Sequence, residues 1–149
     1  MNRIAWSVLR LWIRNHRGRL PPTSVPDPVW YFAYGSNMNE LLFRERRHMT
    51  WLETRVGQLK DHRLAFTVAG GMQPGLSAPA NIVEAPGETV HGVLYLLPLR
   101  KFARLDNSEG KEYTYHWSEA VDASGISRLS LTKCHPRPPK AGRVGAISA

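Results

Sequence analysis

The stretch Tyr31–Glu40, YFAYGSNMNE, gathers residue types that together can bind an anion. Tyr31–Tyr34 continue a short apolar run, Gly35 supplies a permissive turn, and Ser36 and Asn37 add a hydroxyl and an amide. A helical pattern starts at Met38, and Asn37 with Glu40 three residues later is close to a capping box. The first N–H groups of a helix have no partner inside it, and the helix dipole adds positive potential there. Beside a glycine turn, such N–H groups can hold a carboxylate, a phosphate or a developing oxyanion. The spacing is not that of a phosphate-binding G-x-x-x-x-G-K loop, and Met38 stands where a nucleophile elbow needs its second glycine. The same residues also fit an ordinary capped helix behind a buried strand.

A second candidate is Leu105–Tyr113, LDNSEGKEY, which follows an amphipathic pattern made by Leu97, Leu99, Phe102 and Leu105. A carboxylate at the end of such a helix, partly desolvated and facing a pocket, can act as a general base, and Glu109 holds that place. Asp106, Glu112 and Glu119 are equally acidic, so local pattern does not choose among them. The six histidines show no HxxxH or comparable ligand spacing, and the single cysteine, Cys134, rules out both an internal disulfide and a CxxC metal site.

The elements that must position these residues follow from the apolar pattern. At 149 residues with 42% hydrophobic content, the chain suits one domain with a substantial core. VWYFAY is a short buried strand, and a helix follows it with Met38, Leu41, Leu42, Met49 and Leu52 at near-helical spacing. TRVGQL, RLAFTVA, PANIVEA and VHGVLYLL read as strands separated by GG, PG and APGE turn signals. LRKFARLDNSEG is a second helix and YTYHWSEAVD a further strand. The order predicts an α+β fold, a small bent and mostly antiparallel β-sheet or barrel with flanking helices.

Charge divides the chain in three. Residues 1–28 hold five arginines and one aspartate, residues 128–149 hold five basic residues and no acid, and the net +8 therefore lies in the ends. Nucleic-acid binding needs basic residues organised on folded structure, so no nucleic-acid partner is expected. In residues 1–28, Arg3, Arg10, Arg14 and Arg17 fall on one sector of a helical wheel and Ile4, Val8, Leu11 and Trp12 on another, before a proline-rich linker. Such a helix can touch a membrane surface or a partner, and it also resembles a transit peptide. Residues 29–127 form the expected domain, and residues 128–149 read as a basic, proline-containing, disordered or aberrant tail.

Taken together and in order, YFAYGSNM, GGMQPGLSAPANIVEAPGETVHGVLYLL and LDNSEGKEY resemble the gamma-glutamylcyclotransferases, over about residues 29–125. The Y-G-S-N form is more similar to that branch than to gamma-glutamylamine or glutathione-specific relatives with Y-G-T-L or Y-G-S-L. The resemblance implies a barrel-like α+β fold and conversion of an L-γ-glutamyl amino acid to 5-oxoproline and the free amino acid. It implies no cofactor or metal, a small-molecule γ-glutamyl substrate as the partner, and a cytoplasmic setting. On matching positions, Tyr31, Phe32, Ala33, Tyr34, Gly35, Ser36 and Asn37 would bind substrate and Glu109 would be catalytic. The family continues with a further strand, a P-S-x-x-Y segment and a terminal helix, whereas residues 128–149 match none of these. An alternative expectation is therefore a domain lacking one pocket wall, which binds a small ligand or a partner without turnover. A third is another acyl transfer on the same fold, removing a γ-glutamyl group from an aminoglycoside intermediate or a protein side chain.

Overall fold

The computed structural model describes residues 26–66, 80–108 and 114–134. Among these the order is β1 (Val29–Ala33), a 3₁₀ turn (Ser36–Met38), α1 (Glu40–Glu45), β2 (Glu53–Ala65), β3 (Asn81–Leu97), α2 (Lys101–Ser108), β4 (Thr114–Asp122) and β5 (Ser127–Cys134). The strands close into a barrel in the order β1-β3-β2-β4-β5. Every pairing is antiparallel except β1 with β5, which is parallel. β1 is therefore paired on both edges, and both of its faces are buried, which accounts for its nearly continuous apolar sequence.

Pleating divides the core into two layers. Phe32 and Tyr34 of β1 pack with Leu59, Ile82, Val90 and Leu94 inside the barrel. Tyr31 and Ala33 face the other way, where Phe43 of α1 and Phe102 and Leu105 of α2 cover the wall together with Tyr95 and Tyr115. Two glycines admit Phe32. Gly57 and Gly92 lie opposite each other in the β2–β3 register. A Cβ at Gly92 would stand 2.4 Å from the Ala33 carbonyl oxygen and 2.6 Å from Phe32 Cζ, and one at Gly57 would stand 2.9 Å from Leu94 Cδ1.

Three expectations from the sequence change here. The four central strand pieces are two long strands, because the APGE signal makes an irregularity within a hairpin arm instead of a break. The register shifts between Lys60 and His62, Asp61 takes φ 59° and Gly87 φ 84°, and Asp61 Oδ1 accepts from the Gly87 N–H at 2.9 Å. The first helix stops at Glu45. Phe43 is its fully buried anchor, while Leu41 and Leu52 are 66% and 65% exposed. Residues 128–134, expected in the tail, form most of β5 and close the barrel against β1. The signal was hidden because their basic residues serve the fold. Arg128 Nε donates to Asp122 Oδ2 at 3.0 Å with its guanidinium over Trp30, and Lys133 is only 4% exposed. Residues 135–149, and most of the expected N-terminal helix and linker, lie outside the described residues.

Candidate active site

β1 and β5 run parallel, and β4 runs antiparallel to β5 with Tyr115 opposite Lys133. This topology brings three chain ends to one end of the barrel: the exit of β1 into the Gly35 turn, the entry of β4, and the last residues of β5. The Asp122 hairpin that joins β4 to β5 lies at the opposite end.

The turn is held from below by two tyrosines. Tyr31 and Tyr95 face each other across the β1–β3 ladder. Asn37 donates through Nδ2 to Tyr31 Oη at 3.2 Å, and Tyr95 Oη donates to the Asn37 carbonyl at 2.8 Å. Phe43 stacks on both rings, with centroids 6.0 Å from Tyr31 and 4.5 Å from Tyr95. Asn37 is thereby drawn inward and is 5% exposed. It cannot cap α1, and the expected Asn37–Glu40 box is replaced by Asn39, whose Oδ1 accepts from the Leu42 N–H at 3.2 Å. Asn39 has the extended backbone, φ −77° and ψ 110°, that an N-cap residue needs. Within the turn, the Met38 N–H donates to the Gly35 carbonyl and the Asn39 N–H to the Ser36 carbonyl.

Of the other residues expected to bind substrate, Phe32 is fully buried inside the barrel and serves packing. Ala33 is 1% exposed on the layer beneath the helices. Tyr34 Oη donates to the Lys133 carbonyl at 2.6 Å, tying the start of the turn to β5. Ser36 is exposed and Gly35 half-buried. A Cβ at Gly35 would make an ordinary 3.7 Å contact with Ala80, and its φ of −110° is not left-handed. Space does not call for glycine there, while the ψ of −140° lies outside the ordinary extended and helical regions. Glu109 lies outside the described residues; it follows Ser108, the last residue of α2, directly in sequence.

Several residues of this end were not singled out by sequence reasoning. From Tyr31 the aromatic contacts continue to Phe102, 6.2 Å between centroids and edge-on, and from Phe102 to Tyr115 at 5.7 Å. Lys133 Nζ lies 5.0 Å from the Tyr115 ring centroid. Strand alternation in VLYLL and YTYHW could have put Tyr95 and Tyr115 on this face; nothing local in LTKC marks Lys133.

The electrostatics narrow the chemistry. Burial, reinforced by the negative charge of Glu40, pushes the Tyr95 hydroxyl well above its ordinary pKa, so it is a fixed donor to the turn. Burial likewise pushes the Cys134 thiol up to about 12, which leaves almost no thiolate at neutral pH and makes it a poor nucleophile. Asp122 is buried, which works against its charge. The Ile126 N–H, the Arg128 side chain and the Ser124 N–H outweigh that and hold its carboxyl below the ordinary aspartate value. It is a structural carboxylate of the remote hairpin. Among the described residues, no group of three or more His, Cys, Asp or Glu could hold a metal ion, and no helix is long and apolar enough to cross a membrane.

Comparison with known proteins gives this arrangement a family. A gamma-glutamyl cyclotransferase, verK, of Clonostachys rogersoniana is 30% identical over 115 residues, which cover 65% of this chain and 63% of that protein. A solved gamma-glutamyl cyclotransferase superposes with a TM-score of 0.62 at 23% identity, covering 72% of this chain and 66% of that one. YkqA from Bacillus subtilis superposes with a TM-score of 0.61 at 26% identity, covering 74% of this chain and 41% of that one. The chain thus spans about two thirds or less of the length of these relatives. Residues 31–129, from the first clamping tyrosine into β5, match the family described as Gamma-glutamyl cyclotransferase, AIG2-like, and the chain belongs to that family.

Proposed function

We propose that this protein converts an L-γ-glutamyl amine, such as a γ-glutamyl amino acid, to 5-oxoproline and the free amine, with Glu109 as general base and then general acid. The observation that carries the reading is the Tyr31–Tyr95 clamp on Asn37. It fixes the turn that follows β1 at the barrel end where the chain, after five intervening residues from α2, enters β4. The activity for which the relatives are named, the YGSN motif and the LDNSEGKEY segment support the same assignment.

The substrate's α-amine is an ammonium at neutral pH and cannot attack until a base removes a proton. Glu109 takes that proton. The amine and γ-carbonyl belong to one molecule, so ring closure needs mainly the right conformer, and such positioning contributes on the order of 7–11 kcal/mol. As the nitrogen attacks, the carbonyl oxygen gains negative charge. We assign its stabilisation to the Gly35 and Ser36 N–H groups, at about 3–4 kcal/mol for a well-placed donor. When the tetrahedral intermediate collapses, the C–N bond to the leaving amine breaks and Glu109 delivers its proton to that nitrogen, while the second proton still carried by the ring nitrogen passes to the departing amine, which leaves as an ammonium. One carboxylate serves both transfers.

The test is 5-oxoproline release from γ-glutamyl-alanine by the chain and by Glu109→Gln. Release by the first, with a loss of at least about a hundredfold in the second, fits the general-base role. Equal release by both removes Glu109 from the mechanism. No release by either, with γ-glutamyl-alanine still bound, supports the non-catalytic ligand-binding alternative.

A further inference from the structure

We infer that the corner where α1 ends and α2 begins docks on an anionic lipid surface. The corner carries Arg44, Arg46, Arg47, Arg100, Lys101 and Arg104, against the acids Glu45 and Asp27. The fold gathers this charge from two distant stretches of chain. Phe43 and Phe102 both pack on Tyr31, so α1 and α2 share the outer layer of the wall. Arg104 Nη1 donates to the His48 carbonyl at 3.2 Å, which joins α2 to the segment just past α1. Arg44, Arg46, Arg100 and Arg104 are all exposed.

Helix electrostatics accounts for only part of this charge. Arg44 and Arg46 suit the C-terminal end of α1, where the dipole is negative. Arg100 and Lys101 stand at the N-terminal end of α2, where the dipole disfavours cations, and α2 has no acid in its first turn. Cations held against the local field fit an external anion. The apolar groups beside them favour a bilayer over a nucleic acid. Leu41, 66% exposed, lines an open depression with Leu42, Glu45 and Arg46. Leu52, 65% exposed, follows Trp51, and the Arg44 guanidinium lies 5.1 Å from the Trp51 ring centroid. On such a surface, burial of leucine among acyl chains adds to the attraction of arginine for anionic headgroups.

Asp27 supplies an independent observation. Its Oδ1 accepts from the Leu99 N–H at 3.0 Å, so the chain that precedes it joins the domain beside Arg100. That chain carries the Arg3, Arg10, Arg14 and Arg17 sector and the apolar sector of Ile4, Val8, Leu11 and Trp12, the same combination of charges and apolar groups. The corner also lies away from the Gly35 turn. α1 leads away from that turn, and α2 starts shortly after Leu97, which pairs with Val29 at the opposite end of β1. Docking through this face therefore leaves the proposed site open to a small substrate.

The test is co-sedimentation of the full chain with vesicles of phosphatidylcholine, alone or with about one third phosphatidylserine. Three double variants are compared: Arg46→Gln/Arg100→Gln in the corner, Arg10→Gln/Arg14→Gln before the domain, and Lys60→Gln/Arg63→Gln at the far end of β2 as a charge-matched control. Binding is expected only with phosphatidylserine, and about 0.5 M salt should release it. Each corner charge removed should weaken binding about fivefold, so Arg46→Gln/Arg100→Gln should lose roughly 25-fold while the control stays within about twofold. Leu41→Ser should weaken binding about fivefold without changing its salt dependence. Equal binding to both vesicle types, or to neither, overturns the proposal. So does an equal loss in the Lys60→Gln/Arg63→Gln control. A loss in Arg10→Gln/Arg14→Gln with none in Arg46→Gln/Arg100→Gln overturns it too, because the preceding segment then binds without the corner. Short duplex DNA bound at the same salt as tightly as the vesicles reassigns the corner to nucleic acid and overturns the lipid surface. If Arg46→Gln/Arg100→Gln does not fold, Leu41→Ser decides, and unchanged binding by that variant refutes docking through this face.

Discussion

Replacing Tyr95 by phenylalanine removes one oxygen from the floor of the site and little else. The ring keeps its stacking on Phe43 at 4.5 Å and its contact with Trp51 at 4.9 Å, so no cavity opens. The lost group is the donor that holds the Asn37 carbonyl at 2.8 Å. Asn37 is 5% exposed, so its carbonyl has little access to water as a replacement. Depriving a buried acceptor of its donor costs about 1–3 kcal/mol. With a urea dependence of about 1–3 kcal/mol per molar, the unfolding midpoint should fall by roughly 0.5–2 M. Displacing the turn by even part of an ångström misaligns donors aimed at a developing charge. We therefore expect kcat/KM for 5-oxoproline formation to drop about 10- to 100-fold, equivalent to roughly 1.4–2.7 kcal/mol.

Burial and Glu40 both raise the pKa of this hydroxyl, so it stays protonated up to and beyond its ordinary value of about 10. Its contribution is present throughout the neutral range, and the ratio of parent to variant activity should be flat from about pH 6 to 9. Tyr31→Phe removes the other half of the clamp, the acceptor for Asn37 Nδ2. Since both tyrosines act on one residue, the double variant should be less impaired than the sum of the singles, by about 0.5 kcal/mol or more. Two outcomes refute the reasoning. Unchanged stability in Tyr95→Phe means the bond does not hold the turn. Lost stability with unchanged kcat/KM means the turn's position does not govern catalysis.

Other expectations test the scaffold. Gly92→Ala places a Cβ 2.4 Å from the Ala33 carbonyl oxygen and should cost about 3 kcal/mol or more, read from the urea midpoint. Asp122 has a lowered folded pKa, so its charge adds stability above the ordinary aspartate value and loses it as pH falls through the folded value. Urea midpoints measured at about pH 7 and about pH 3 should therefore converge in Asp122→Asn relative to the parent chain. Cys134, with its thiol raised to about 12, should resist iodoacetamide in the folded protein and react once urea unfolds it, as mass spectrometry would report.

What the sequence revealed and what it concealed divide along one physical line. Contacts carried by nearby residues were legible. The β1 run, the turn after it and the apolar face of α2, with Phe102 and Leu105 both buried, follow from period and turn chemistry. Contacts carried by register were not. A capping box at Asn37 fits local rules, but Tyr95, 58 residues away, competes for the same segment through its carbonyl and wins because the site is buried. Asn39 takes over the cap. The Pro86–Gly87 pair signals a turn, yet one aspartate across the ladder, Asp61, absorbs the irregularity and the strands continue.

Residues 127–134 show the same effect in its strongest form. SRLSLTKC alternates weakly and carries two cations, which in isolation describes a solvated tail. In the barrel, Ser130 and Thr132 meet Ser118 through a buried hydroxyl cluster, with Thr132 Oγ1 2.6 Å from Ser118 Oγ, so their polarity is satisfied inside. Arg128 is matched by Asp122, and Leu131 is 1% exposed. Hydrophobic pattern underrates such a strand because its polar atoms find partners only after β1 and β4 are in place. That dependence also explains why the site sits where it does. A parallel partner for β1 must arrive from the far end of the chain, and its last residues then end beside the turn that β1 begins. Closing the barrel and bonding the Lys133 carbonyl to Tyr34, the residue before Gly35, are one event, so a variant that weakens β5 should loosen the turn before it loses the β2–β3 hairpin.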